Sequence, residues 1–159
     1  MLNEIINIIL LTLTPALELR ASIPYGILIA NLNWFIVLVV AVITNIILGP
    51  VVFFIIDKFI HLFLRMSWFS KIWDKVVERS QRKVKPYVDK YGEWGLALFI
   101  GIPLPGSGVY TGAVAAYLLG FDKKKFFGAV VAGVLIAGIL VSLIVATGVS
   151  GFSLFVKGV

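Results

Sequence analysis

The sequence predicts an all-α integral membrane protein made of two inverted repeats. Each repeat is a re-entrant helical hairpin plus a long transmembrane helix, and an amphipathic cytoplasmic helix links the two. Three observations carry this. The 159 residues are 60% hydrophobic and only 14% charged, with a mean hydropathy of +1.06, beyond the apolar share of about half usual in soluble domains. Two uncharged runs, residues 34–56 and 126–149, are each long enough at about 1.5 Å per residue to cross a hydrocarbon core of about 30 Å. Each long run follows two short apolar pieces separated by a proline-containing motif, in the same order.

In the first repeat, about residues 1–56, the apolar run ending at Leu13 would reach only about 17 Å as a helix, too short to span. No Lys or Arg precedes it, which argues against a cleaved signal peptide. Next comes Thr14-Pro15-Ala16-Leu17-Glu18-Leu19-Arg20-Ala21-Ser22-Ile23-Pro24-Tyr25-Gly26. Two prolines bracket a carboxylate and a guanidinium, so irregular backbone is expected between them. In lipid, such backbone and such charges are tolerated only where protein or a water-filled cavity surrounds them. A second short piece, residues 25–32, closes the hairpin between Asn31 and Asn33. The long run after it carries Asn45, expected to face the bundle, and Gly49-Pro50, where a kink is expected.

Residues 57–93 change character. Phe59, Phe63, Trp68, Phe69, Trp73, Tyr87 and Tyr91 are interleaved with Arg65, Lys71, Lys75, Arg79, Arg82, Lys83, Lys85 and Lys90. Phe69, Trp73, Val76 and Val77 fall at helical spacing with cations on the other faces, the pattern of a helix lying at a membrane interface. His61, the only histidine, reads as a headgroup-level residue. Nucleic acid is not expected as a partner, because juxtamembrane charge already accounts for the basic residues.

The second repeat, about residues 94–159, runs through a short apolar piece to Pro103-Leu104-Pro105-Gly106-Ser107-Gly108. A piece rich in Ala and Gly follows, then a basic turn at Lys123-Lys124-Lys125 and the second long run. A shift of 86 positions sets Tyr25-Gly26 beside Thr111-Gly112 and Ala30 beside Ala116. Of the 14 basic residues, 12 lie between Lys58 and Lys125, which predicts a cytoplasmic middle, both termini outside and a multi-pass protein of the cell membrane. The inverted repeat predicts the same sidedness.

Broken helices meeting near mid-depth are a recurrent plan of secondary transporters, because half-helix ends present free N–H and C=O groups. The expected substrate or proton site is therefore Glu18, Arg20, Ser22 and Pro24 from the first motif with Pro103, Pro105, Gly106, Ser107 and Gly108 from the second. Glu18 is a proton carrier in this reading, and Arg20 a two-pronged donor for an anion. The other reading has Glu18 and Arg20 pairing with each other to hold the fold. The Gly-Ser-Gly lacks the strand before it and the Lys after it that phosphate loops use. With no cysteine and one histidine, no metal site, cofactor or catalytic centre is expected. Ala129, Gly133 and Ala137, with Gly138, Ser142 and Ala146, form small-residue stripes suited to packing within the protomer or across a homodimer.

The stretches Leu17-Glu18-Leu19-Arg20-Ala21-Ser22-Ile23-Pro24-Tyr25-Gly26 and Gly101-Ile102-Pro103-Leu104-Pro105-Gly106-Ser107-Gly108 resemble the small multidrug export protein family, itself similar to the DedA superfamily. The resemblance covers nearly the whole chain. It implies paired re-entrant hairpins in inverted repeats and roles in proton-coupled export or in moving lipids between leaflets. One position departs from the DedA pattern: Ser107 stands where those proteins carry an acid after Pro-x-Pro-Gly, and the acid here is Glu18, in the other repeat. The leading expectation is a small secondary transporter of amphipathic or anionic solutes, with membrane lipids around it. A lipid translocase or scramblase comes second and a non-transporting membrane scaffold third.

Overall fold

The computed structural model describes residues 1–15, 17–63, 73–75, 77, 78, 82, 84–104 and 106–148. Among the described residues, seven α-helices carry the fold. The first, α1 (Leu2–Leu13), ends because Pro15 follows: Thr14 takes the extended conformation, φ −76° and ψ 124°, that a residue before proline prefers. The second, α2 (Glu18–Pro24), passes without a break into a π-helical turn at Tyr25–Ile29. This corrects the expectation of irregular backbone all the way from Pro15 to Pro24. Among the described residues the irregular backbone is confined to Thr14, Pro15, Leu17 and the left-handed Glu18, and Pro24 sits inside the helix. Proline removes an N–H and crowds the preceding turn, and here the helix accommodates it by widening into the π turn immediately after. Asn31 (φ 51°) ends this arm, one of the few side chains that tolerate a left-handed backbone.

Asn33 then accepts a hydrogen bond from the Phe35 N–H at 2.9 Å and starts α3 (Trp34–Phe63), an ordinary polar N-cap. The helix runs through Pro50 and beyond the apolar residues to Phe63, further than the expected end at Ile56. In the middle segment α4 (Lys85–Tyr91) is described, as is Trp73, which meets Tyr117 edge-on. Arg65, Trp68, Phe69, Lys71, Val76, Arg79, Lys83 and the His61 side chain lie outside the described residues, and with them most of the expected amphipathic helix. Lys157 lies outside them too. The second half comprises α5 (Glu93–Gly101), α6 (Val109–Leu118) and α7 (Lys123–Ala146). The Asp122 carboxylate accepts from the Lys124 N–H at 3.1 Å, so the basic turn expected at 123–125 is already the first turn of α7.

Close contacts set the register. A Cβ on Gly49 would come within 2.8 Å of Val130, and one on Gly138 within 2.8 Å of Val42. Numbers rise along α3 as they fall along α7, so these helices are antiparallel. Lys123 pairs with Asp57 at 3.1 Å at one end of that contact. The short α5 runs parallel to α7: Glu93 pairs with Lys125 at 2.8 Å, and a Cβ on Gly133 would come within 2.7 Å of the Ala97 carbonyl oxygen. Gly133 and Gly138 of the small-residue stripes thus pack inside the protomer, with Ala129 and Ala137 buried beside them and Ala146 exposed. Because α5 has 9 residues and α7 has 24, the chain after α5 reverses about half way along α7.

The first half is arranged the same way. Gly26 abuts Val37 and Ile8, and the Tyr25 hydroxyl donates to Glu4 at 2.7 Å while accepting from Asn7 at 3.0 Å. At the other end of α2, Glu18 reaches Val109, which packs against Gly49 in the middle of α3. The two turns, one before α2 and one before α6, therefore meet at the middle of the two long helices. Around them lies a core of Ile8, Leu19, Ile23, Val37, Leu96, Ile100, Val109, Phe126, Val130 and Val134, all essentially inaccessible. The lipid-type exterior shows in the large apolar side chains left exposed along α3 and α7, among them Ile43, Ile47, Ile139 and Leu143. Both α3 and α7 are long and apolar enough to cross a membrane.

Candidate functional site

Glu18 begins α2 with φ 48°, a left-handed conformation that costs a non-glycine residue on the order of 1 kcal/mol. The carboxylate is 5% exposed and points away from its own helix. Oε2 accepts from the Val109 N–H at 3.1 Å and Oε1 from the Tyr110 N–H at 3.3 Å. These are two of the free donors at the start of the ten-residue helix α6, where the helix dipole also favours a negative charge. Gly108 makes the approach feasible. Its φ is 128°, and a Cβ there would lie 2.5 Å from Glu18 Oε2; only glycine supplies both the conformation and the space.

Arg20, two residues on, reaches the same turn from the other side. One guanidinium nitrogen donates to the Leu104 carbonyl oxygen, and the other to the Ser107 hydroxyl oxygen at 2.8 Å. Ser107 Oγ in turn lies 2.6 Å from the Ile102 carbonyl oxygen and 2.9 Å from that of Leu104, so its hydroxyl hydrogen has a carbonyl to donate to while a lone pair serves Arg20. A third tie closes the junction: the Tyr110 hydroxyl donates to the Leu13 carbonyl at 2.5 Å, occupying one of the acceptors left free at the end of α1. Among the described residues no salt bridge joins Glu18 to Arg20. The reading in which the two pair with each other is thereby replaced by one in which each is held by the opposite turn.

Of the residues expected at the site, Glu18, Arg20, Ser107 and Gly108 come together. Gly106 (φ 77°) shapes the turn between them, and Pro103 sits half-buried in the same turn. Pro105 lies outside the described residues. Ser22 and Pro24 are elsewhere: Ser22 accepts from the Thr12 hydroxyl at 2.7 Å, tying α2 to α1, and Pro24 is buried in the last turn of α2. The sequence reading, which expected Glu18 and Arg20 near the backbone of residues 103–107, missed the Val109 and Tyr110 N–H groups. A glycine immediately before an apolar helix was a usable signal, since helix starts are ready-made anion sites. No group of three or more metal-type side chains occurs among the described residues.

The arrangement can hold a carboxylate against backbone donors and a guanidinium against backbone and hydroxyl acceptors, side by side at the middle of two membrane-length helices. No curated protein and no solved structure matches the chain. A family model does match, over residues 18–140, more than half of the chain, and it begins at Glu18 itself and takes in the junction except Leu13; the chain belongs to the family described as "Putative small multi-drug export protein".

Proposed function

We propose that this protein is a small proton-coupled secondary transporter in which two re-entrant hairpins, α1–α2 and α5–α6, enter from opposite faces and carry the site where their tips meet. The observation behind this is that Glu18 and Arg20 are each bonded to the opposite tip and not to each other. Bonds of that kind can be exchanged. An anionic group offered to Arg20 competes with the Leu104 carbonyl and Ser107 for the same donors, and a planar guanidinium suits carboxylate or phosphate. A proton on Glu18 removes the charge that holds the carboxylate to the start of α6. Either event loosens one side of the junction, and loosening the sides in turn is what alternating access around a central site requires.

Membership in an export-protein family supports transport as the activity. The excess of Lys and Arg between Lys58 and Lys125 supports a cytoplasmic middle and external termini. The test is purified protein in proteoliposomes under an imposed pH gradient. Solute movement that follows the gradient and is lost in Arg20→Lys and Glu18→Gln, with both variants inserted and folded, is the expected result; transport unchanged in both removes the junction from the mechanism.

A lipid translocase is the second reading, favoured by one observation. An almost wholly apolar groove of about 400 Å³, lined by Trp34, Phe35, Leu38, Ile139, Ser142, Leu143 and Ala146, opens sideways between the start of α3 and the end of α7. Movement of a labelled phospholipid between leaflets without a pH gradient, blocked by Leu38→Trp, would favour that reading over the first.

A further inference from the structure

Asn45 is the most anomalous side chain outside the junction. It lies in the middle of α3, 1% exposed, and neither its Oδ1 nor its Nδ2 has a hydrogen-bond partner among the described residues. Its neighbour Thr44 shows the usual solution, donating to the Val40 carbonyl at 2.7 Å. Ser142, the other buried polar group without a partner, can turn its hydroxyl to a carbonyl of its own helix in the same way. An amide cannot satisfy both ends that way, because its NH2 and C=O point apart and the helix interior offers its C=O no free donor. Burial also excludes a second copy of the chain as that partner, since a folded neighbour does not reach a side chain enclosed by the protomer.

Position narrows the choice. Gly49, one turn further along the same face of α3, packs against Val109 and Val130, and Val109 is the residue whose N–H holds Glu18. Val42, three residues earlier, faces Gly138. Asn45 therefore stands on the α3 face turned to α7, about one turn from the junction of the two tips. We propose that Asn45 is a further binding residue of the transport site. Its amide takes a neutral group that both donates and accepts hydrogen bonds, either a solute hydroxyl or amide, or a water that the solute displaces. This rests on the reading of the junction as the site of transport, and it adds a neutral hydrogen-bonding head to the charged or ionisable group that Glu18 and Arg20 would meet.

The chain has no native cysteine, so single substitutions test this directly. In proteoliposomes, the Asn45→Cys, Ser107→Cys and Val130→Cys variants are treated with a small charged methanethiosulfonate. Asn45→Cys is expected to react about tenfold faster or more than Val130→Cys, a buried apolar position on the facing helix, because thiol reactivity requires access. Protection of Asn45→Cys by chloramphenicol, an apolar-bodied solute with two hydroxyls, assigns the partner to solute; reaction without protection assigns it to water. Asn45→Leu is expected to keep or raise the thermal midpoint while reducing transport, since no bond of the fold is lost. Asn45→Cys as inert as Val130→Cys, or a lowered midpoint in Asn45→Leu, overturns the inference. Inertness at Asn45→Cys with a reactive Ser107→Cys leaves the junction standing as the site, whereas inertness at both removes the parent reading as well.

Discussion

The two turns that meet in the middle of this protein are built from opposite materials. The first, at the start of α2, contributes side chains, the Glu18 carboxylate and the Arg20 guanidinium, both ionic. The second, the turn before α6 with that helix's first residues, contributes almost only backbone: the Leu104 carbonyl and the Val109 and Tyr110 N–H groups, with the Ser107 hydroxyl as the exception. The two halves of the chain thus divide the work at the junction, one carrying charge and the other carrying dipoles. The difference has a physical logic. Two charged tips facing each other at mid-depth would each need a counter-charge, and a buried ion that loses its partner is costly. A glycine-rich turn offers a preformed set of donors and acceptors that stays neutral when the ions leave. In our proposal that neutrality lets the charged tip release without stranding a charge on the other.

If the junction is as tight as Gly108 implies, Gly108→Ala is the most damaging small change at the junction. It forces a side chain into φ 128° and places a Cβ 2.5 Å from Glu18 Oε2, a combined loss of about 3 kcal/mol or more. Gly120→Ala is the matched control. Gly120 also has positive φ (68°) but nothing within 4 Å of a Cβ, so about 1 kcal/mol is expected from backbone strain alone. Equal losses in the two variants, read by thermal unfolding in detergent, would mean that the tips are not in close contact.

Removing the carboxylate comes next. Glu18→Ala should cost about 1.5 to 3 kcal/mol, the range for bonds to charged groups, while clearing the space that a Cβ at position 108 would need. The Glu18→Ala Gly108→Ala double variant should therefore be more stable than the sum of its parts predicts, by about 1 kcal/mol or more. Strict additivity would show that the carboxylate and the glycine do not touch.

Arg20→Lys is expected to be milder for stability, about 1 to 2 kcal/mol, because the ammonium keeps the charge but cannot serve the Leu104 carbonyl and Ser107 together in the same geometry. Its effect on transport should exceed its effect on folding. The smallest effect is expected away from the tips. Ser22→Ala loses the 2.7 Å bond from Thr12, about 1 kcal/mol, and should leave the transport rate of the folded protein at the parent value. A transport defect in Ser22→Ala as large as that in Arg20→Lys would return Ser22 to the site.

Much of this was legible in the residues alone, for reasons that belong to the solvent. A membrane demands uninterrupted apolar length, so α3 and α7 were readable from hydropathy to within a few residues at most ends, and the charge of Glu18 and Arg20 stood out against that background as something the fold must enclose. Proline before α2 and glycine before α6 marked both turns, since each acts through its own backbone chemistry. Tertiary structure alone decided the rest. Pro24 looked like a break, but whether a helix stops at a proline or widens past it depends on the packing around it, and here the buried faces of α2 against α1 and α3 carry the helix through into a π turn. The partners of Glu18 and Arg20 lie more than 80 residues away along the chain and are mostly peptide groups, which every residue possesses and no composition distinguishes. Nor does spacing along α3 reveal that Asn45 has no partner among the described residues, because a side chain is left unpartnered only by where its neighbours come to rest.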